Sequence, residues 1–522
     1  MAQAVRPKRQ TRKPQSDVSR LRPPPGGAVI RMYRIGHGDC FLIAFAGERP
    51  DKPVHVLIDC GYKPGSPIKL AQPTTTEEVG KDIIAVTDGM VDVVVITHEH
   101  QDHVNGFTST NFPDLKVGQV WFAWTENPKD DVANVLRRRF KDRLLGLIDD
   151  RSKFLGLGTN EASSYLENFL ELELGEAAAD FNGRKTMSAA GKDPANSANK
   201  QAMKFVRDCA PGEPTYLYPH GKPVSIPGAV SARVFVLGPP RDIEKIDDLN
   251  PIGDENFGDD DGSHGLMLDA KATTVSATPK ASPFSRRHLL PLDQVFANPE
   301  VKEFFSVRYG LPDDGDISAA DGEEVPNNAA WRRLTSDDAA DADALALAMN
   351  NATNNASLVL AFELTKGGKV LLFAGDAQAG NWRSWSDNDF EDDQAQVTAA
   401  NLLGRTVVYK VGHHGSHNAT LSGDVRSGRA SLGWMAKDRR HAAEFIALIT
   451  AVEKWAHQKP KPDWNHPLPA IKRALIEKAG GRVLQTDSSL PEGSVGAGAA
   501  DWQAFRERIT ETRLYFDIVV EG

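Results

Sequence analysis

A run of β-branched residues, Val91-Asp92-Val93-Val94-Val95-Ile96, passes without a break into Thr97-His98-Glu99-His100-Gln101-Asp102-His103. The run is strand-sized and rich in valine, so it reads as a buried strand. Its end therefore delivers three imidazoles and a carboxylate to one edge of a sheet. In an extended chain His98 and His100 point the same way and can share one ion. Once the chain turns, Asp102 and His103 can face a neighbouring ion. Imidazole with carboxylate is the usual ligand set for zinc and also suits manganese or iron. The competing reading, a solvent-exposed His-rich loop, seldom follows a fully apolar strand.

Composition narrows the choice of ligands. Cys40, Cys60 and Cys209 are the only cysteines in 522 residues, too few and too scattered for a disulfide framework or a thiolate metal site. Their scarcity favours a reducing compartment, and with it the cytoplasm. Any metal must then rest on the 14 histidines and the carboxylates. With 40% hydrophobic and 25% charged residues, the chain is neither disordered, collagenous nor a coiled coil as a whole. No run of about 18 apolar residues occurs, so no membrane span is expected.

Two further strand ends supply candidate ligands. Val370-Leu371-Leu372-Phe373 leads into Ala374-Gly375-Asp376, and one carboxylate there can bridge two ions. The strand 406–411 ends at Gly412-His413-His414-Gly415-Ser416-His417. His414 is the expected ligand of this pair, with His413 the alternative and otherwise nearer the substrate. Strands are also expected at 29–35, 40–45, 54–58, 120–124, within 216–236, and at 354–364, 482–485 and 513–520. The glycine-bounded spacing of the first three indicates a largely antiparallel sheet. Helices are expected over 76–88, across much of 129–180, near 291–306 and 328–349, and at 440–457 and 468–479. Two sheets with helices outside is the α/β (α+β) architecture this order suggests.

The charge is uneven. Residues 1–24 carry seven basic side chains against Asp17, a net of +6, so the rest of the chain holds −16 of the overall −10. The tail is proline-rich and polar, which reads as a disordered leader or a nucleic-acid or partner-binding arm. The acidic body would repel a polyanion, so nucleic acid would need a local positive site, for which bound metal is a candidate.

The motifs together resemble the metallo-β-lactamase superfamily, whose hallmark is His-x-His-x-Asp-His followed by a distant Asp and a final His. They are most similar to the hydrolase domain of the ComEC-type competence proteins. The similarity runs through Gly36-His37-Gly38-Asp39, Leu57-Ile58-Asp59-Cys60-Gly61, His98 to His103, Asn355 to Leu360, Leu371 to Asp376, Lys410 to Ser416 and Asn465-His466-Pro467. No counterpart of the ComEC membrane channel is present, so DNA transport is not implied. The resemblance implies an αββα sandwich with a dinuclear site at one edge, two divalent ions with zinc favoured over manganese, and one domain over 28–522. That domain would follow a disordered tail at 1–27 and contain two insertions, a helical one at about 125–215 and an acidic, partly flexible one at 241–350.

The pattern departs from the family at the third histidine of the first ion. Only His220, His264 and His288 fall in the right interval, and His220 alone has an ordered-looking context. ComEC-like members often lack that ligand, which implies a weakly held first ion or a single one. Asp39 and Asp59 are candidates for orienting ligand imidazoles, or are aspartates that stabilise glycine turns. Lys410, Ser416, His417 and His466 form a further ring able to hold a phosphate oxygen. Lys410 can equally point to solvent, and His466 can equally be a turn residue.

The implied activity is hydrolysis of a phosphodiester, in DNA or RNA, by a metal-dependent enzyme in which Asp102 and the 413/414 pair serve catalysis and the non-ligating histidine gives a proton to the leaving oxygen. A small-molecule phosphoesterase or a lactone or thioester hydrolase is the alternative. A non-catalytic scaffold or sensor of the same fold is another, against which the intact six-residue motif speaks. The insertions can wall off a pocket or bind a partner protein, a context compatible with bacterial defence.

Overall fold

The computed structural model describes residues 20–157, 164–175, 197–257, 303, 338–392, 395–424, 426, 428–458 and 464–522. Most of the acidic segment, including all but residue 303 of the helix expected near 291–306, and the first 19 residues lie outside the described residues. The chain divides into two compact units, one of 1–139, 171–257 and 351–522, the other of 140–170 and 258–350. The described part of the second is almost wholly helical. The first holds the sheets and every candidate site residue that the structure describes.

In chain order the strands are β1 (Ala28–Tyr33), β2 (Cys40–Arg49), β3 (Lys52–Cys60), β4 (Met90–Ile96), β5 (Lys116–Ala123), β6 (Thr215–Leu217), β7 (Val224–Ser225), β8 (Arg233–Gly238), β9 (Val359–Glu363), β10 (Val370–Phe373), β11 (Asp389–Asp392), β12 (Ala395–Thr398), β13 (Thr406–Lys410), β14 (Ile446–Ile449), β15 (Val483–Gln485), β16 (Ile509–Glu511) and β17 (Tyr515–Val520). Among the described residues one sheet runs β16-β17-β1-β2-β3-β4-β5-β6 and a second β15-β14-β13-β10-β9-β8-β7, with β11 and β12 forming a separate hairpin.

The sheets pack face to face. Phe41 of β2 meets Phe373 of β10 with ring centroids 5.3 Å apart, and Phe45 meets Phe362 at 5.5 Å, inside a core that draws side chains from both sheets. The outer face of the first sheet is covered by the helices Thr76–Thr87 and Ala198–Asp208, and that of the second by Ala379–Trp385, Ala399–Gly404 and Pro469–Lys478. This is the αββα sandwich. Because both faces of each sheet are buried, central strands are near-continuous apolar runs rather than alternating ones. The helix Thr76–Thr87 shows why its sequence folds as it does. Thr75 and Glu78 form a reciprocal capping box, Val79, Ile83 and Val86 lie on one buried face, and Asp88 closes the helix in the left-handed region.

Several expectations are corrected. The antiparallel order expected of the first three strands holds from β16 through β3, while the sheet is parallel from β3 to β6, because the crossover helix Thr76–Thr87 carries the chain back before β4. The helix expected at 440–457 is instead β14 flanked by two short helical segments, Ala442–Glu444 and Glu453–Ala456. Its run Phe445-Ile446-Ala447-Leu448-Ile449 is wholly buried between parallel neighbours, where strand and helix patterns look alike. Asn354 and Asn355 close the helix Asp338–Asn355 rather than opening a strand, in keeping with the poor strand propensity of Asn. Within 129–180 the described helices are two, Asp131–Leu157 and Ser164–Leu174. The tail is ordered earlier than residue 28, since Leu21 is buried in the core under the first sheet.

Candidate metal centre

The C-terminal ends of β3, β4, β10, β13 and β14 and the start of β2 converge on one edge of the sandwich, and the strand-end motifs come with them. Glycine makes the approach possible. A Cβ on Gly61 would lie 2.4 Å from the His103 nitrogen, and one on Gly38 would lie 2.6 Å from the Asp102 oxygen. The backbone of 102–103 therefore rests directly on two glycines, and Asp39 N donates to Asp102 O at 3.0 Å.

Asp59 Oδ1 accepts from Thr97 N at 2.8 Å, and its Oδ2 accepts from Thr97 Oγ1 at 2.6 Å and lies 2.8 Å from His103 Nδ1. With Nδ1 donating to Asp59, His103 turns Nε2 to Asp376 Oδ2, 3.1 Å away. A carboxylate that fixes an imidazole in this way is a familiar support of metal ligands. His414 is set likewise, its Nδ1 3.1 Å from Thr450 O and its Nε2 3.1 Å from Asp102 Oδ2. His413 and His414 both occupy the left-handed region, at φ 39° and 55°. Such backbone is retained where surrounding structure demands it, at a cost on the order of 1–3 kcal/mol each.

Asp376 Oδ2 is the common point. It lies 3.1 Å from His103 Nε2, 3.7 Å from His414 Nε2 and 4.0 Å from the Nε2 atoms of both His98 and His413. Ligand atoms of Asp102, His103, Asp376 and His414, all buried, lie within 4.8 Å of one another, a group that can hold a metal ion; Asp39, Asp59 and His103 form a second such group. Beside them His98 Nε2 and His100 Nδ1 face each other at 3.0 Å. Asp102 Oδ1 is buried without a hydrogen-bond partner. The donor set, its burial and this orphaned oxygen fit divalent cations.

The electrostatics match. Burial opposes the charge on Asp102 and Asp376, yet Lys63 and His414 hold Asp102, and His103 and Lys410 hold Asp376, well below the usual carboxylate range. Burial also opposes protonation of His103, but Asp376, Asp39 and Asp59 outweigh it and raise its pKa well above normal. His98 is pushed far down by burial and by His103 and His100.

The outer ring is more internal than the sequence suggests. Lys410 is buried and spends its ammonium on Asp39, on Gly375 O at 2.8 Å and on Asp376 at 3.3 Å, so it braces carboxylates rather than facing a substrate or solvent. Ser416 donates to Asn418 Oδ1 at 2.8 Å and lies 3.0 Å from His413 Nδ1. His466 stacks on His37, with ring centroids 5.6 Å apart, and meets the edge of His413 at 5.2 Å; its pKa is far lowered by burial and by His413 and His414. His417 is half-buried beside this ring. His220 is exposed in a turn at φ 71° and is not among the residues gathered here. His264 and His288 lie outside the described residues.

Three residues at the site escape sequence reasoning. Lys63 has its Nζ 3.8 Å from Asp102 Oδ1 and 5.3 Å from the ring centre of Trp464. His37 is buried against His414 and Trp455. Glu173 Oε1 lies 2.8 Å from His100 Nε2. Only His37, inside the Gly36-His37-Gly38 turn, carried a signal in the sequence.

Residues 35–109 match the family model of the metallo-beta-lactamase superfamily. No curated protein matches the chain. The matched segment includes Asp39, Asp59 and the 98–103 motif, whereas Asp376, His413 and His414 lie beyond it. The superfamily consists mostly of hydrolases that bind divalent metals, often zinc, so the match together with the His and Asp groups implies a metal-dependent hydrolase. No helix among the described residues is long and apolar enough to cross a membrane.

Proposed function

We propose that this protein is a phosphodiesterase acting on nucleic acid, using two divalent ions, zinc or manganese, held by His98, His100, Asp102, His103, Asp376 and His414. The observation that carries the reading is the convergence of four imidazole Nε2 atoms within 4.0 Å of Asp376 Oδ2, the arrangement a bridging carboxylate needs. Preference for a phosphodiester over a lactam or thioester rests on the ComEC-like order of motifs, and placement in the cytoplasm on the three free cysteines.

Divalent ions at such a site supply Lewis acidity and activate water near neutral pH. The chain's residues arrange everything else. Asp59 and Thr450 set the imidazole tautomers of His103 and His414. Lys63 adds positive charge at the Asp102 side and braces that carboxylate. His37, Trp455, Trp464 and His466 build an aromatic wall that excludes water from one flank. His413 fits the role of alternative ligand better than that of proton donor. Burial lowers its pKa to about 3, so the ring is neutral, with Nε2 4.0 Å from Asp376 Oδ2 and Nδ1 facing Ser416 Oγ at 3.0 Å and Gln378 Nε2 at 3.4 Å.

The test is metal analysis of the purified protein with a panel of single-stranded DNA, double-stranded DNA and RNA under manganese and zinc. Cleavage of at least one substrate, lost on chelation and reduced at least about 100-fold in Asp376→Asn, is the expected result. Activity that persists through both treatments would overturn the metal-dependent reading. Cleavage confined to small phosphoesters or thioesters would overturn the nucleic-acid part.

A further inference from the structure

Among the described residues Glu173 is one of the few carboxylates buried far from any strand end, at 4% exposure, and it points at the histidine motif. Three elements hold it. The helix Ser164–Leu174 stops at Gly175, whose φ of 71° permits the left-handed turn, and a Cβ there would lie 2.3 Å from Asn199 Oδ1. Asn199, at the start of the helix Ala198–Asp208, donates through Nδ2 to Leu172 O at 2.7 Å and Glu173 O at 3.0 Å. Thr353 donates its hydroxyl to Glu173 Oε1 at 2.9 Å. The same helix that carries Asn199 also pairs Lys200 with Glu99, inside the histidine motif. A surface appendage would not need to aim an acid and a base at this loop.

We infer that Glu173 is a positioning residue that holds His100 in the Nε2–H tautomer, so that its Nδ1 lone pair faces His98 Nε2 and completes the first ion's imidazole pair. The inference rests on the metal-dependent reading above. His100 Nε2 lies 2.8 Å from Glu173 Oε1 and His100 Nδ1 lies 3.0 Å from His98 Nε2, so one ring contacts the acid and its neighbour through opposite nitrogens. Thr353 already donates to that same Oε1, which marks the oxygen as the acceptor and leaves His100 Nε2 as the nitrogen that carries the proton. His98 is oriented from its other side, with Nδ1 3.1 Å from Thr97 Oγ1 and 3.2 Å from Ser357 Oγ. Of the three histidines in the interval where metallo-β-lactamase relatives place a third ligand of the first ion, the described one, His220, is exposed and not gathered here, while a buried acid stands behind His100. The segment expected as a helical insertion is thereby part of the site rather than only a partner-binding or pocket-walling element.

Two measurements test this. In the metal-free protein, long-range ¹⁵N–¹H correlation reports which ring nitrogen of His100 is protonated: Nε2 is expected in the wild type, and a loss of that preference in Glu173→Ala. Chelator-competition titration should then show one of two ions bound about 10- to 100-fold more weakly in Glu173→Ala, the range seen when such supporting groups are removed. Glu173→Gln, which keeps an acceptor oxygen without the charge, should fall between, and it provides a folded variant should alanine unsettle the helix end. A wild-type His100 protonated on Nδ1, or a Glu173→Ala protein that binds both ions as tightly as the wild type, would overturn the assignment. A wild type that takes up no ion would instead sink the catalytic reading, while the metal-free spectrum still decides the tautomer.

Discussion

A methyl group at position 61 would sit 2.4 Å from the His103 amide nitrogen and 2.5 Å from the Asp102 carbonyl carbon. Both contacts are backbone, so neither can swing aside. Gly61→Ala should push the 102–103 loop off β3 and spread the donors around Asp376. Overpacking of this kind costs on the order of 1–3 kcal/mol. Thermal unfolding should show that loss with the transition still cooperative, and metal titration a weakened site. Gly212→Ala, where nothing lies within 4 Å of the added Cβ, is the control and should stay within about 0.5 kcal/mol of wild type. Equal stability of both variants would refute the claim that this glycine positions the motif. At the same scale, legibility in the sequence follows chain distance. His98 to His103 can be read because they adjoin one another on a strand end, and Asp376 and His414 because each ends an apolar run. Glu173 cannot, because it reaches His100 across 73 residues and nothing local marks it. Lys63 meets Asp102 only through the fold.

At the level of elements, the pattern is strongest where strands are bounded by turns and weakest where both faces are buried. β10 agrees with its expected limits to the residue, whereas β14 was hidden in an apolar run with no period of two. The short C-terminal helix Ala499–Glu507 and β16 went unread because neither is long enough to show a pattern. The β11–β12 hairpin is tied to the second sheet by charge. Arg233 of β8 donates to both oxygens of Asp392 at 2.7 Å and to Glu363 of β9 at 2.6 Å. The Arg233 guanidinium lowers the Asp392 pKa from its ordinary 3.8 to about 2. A depressed carboxyl pKa gives stability that is fully present above the unfolded value and is lost as pH falls through the folded one. The contribution should therefore be constant above about pH 5 and fade between about pH 4 and 2. Asp392→Asn should lower the melting temperature at neutral pH and flatten the acid limb of stability over that window. Parallel acid limbs in the two proteins would show that this pair does not contribute.

On the scale of the molecule, the acidic excess of the sequence says little about the site, where carboxylates and cations are nearly matched. Asp39, Asp59, Asp102 and Asp376 are buried together with Lys63, Lys410 and a His103 whose pKa is raised. An ion that binds the folded unit and not the unfolded chain stabilises that unit, so metal should raise its stability. Linkage sets the size: an ion at 100 times its Kd adds about 2.7 kcal/mol. The unit that carries the site spans roughly 400 residues, and at that size each kcal/mol moves Tm by only about 1–1.5 °C, so chelating one such ion should lower it by roughly 3–4 °C. The remaining unit need not melt at the same temperature, so the shift should be read from the transition that responds to metal. Adding zinc or manganese back should restore it, with Tm rising linearly in the logarithm of free metal once the site is near saturation. Asp376→Asn supplies the decisive contrast. Losing the shared carboxylate should remove the metal-dependent increment, and it should also lower the chelated Tm, because His103 and Lys410 lose the buried charge they pair with. A chelator-insensitive wild-type Tm, or an Asp376→Asn protein that keeps the full increment, would mean that the ions do not sit at this cluster.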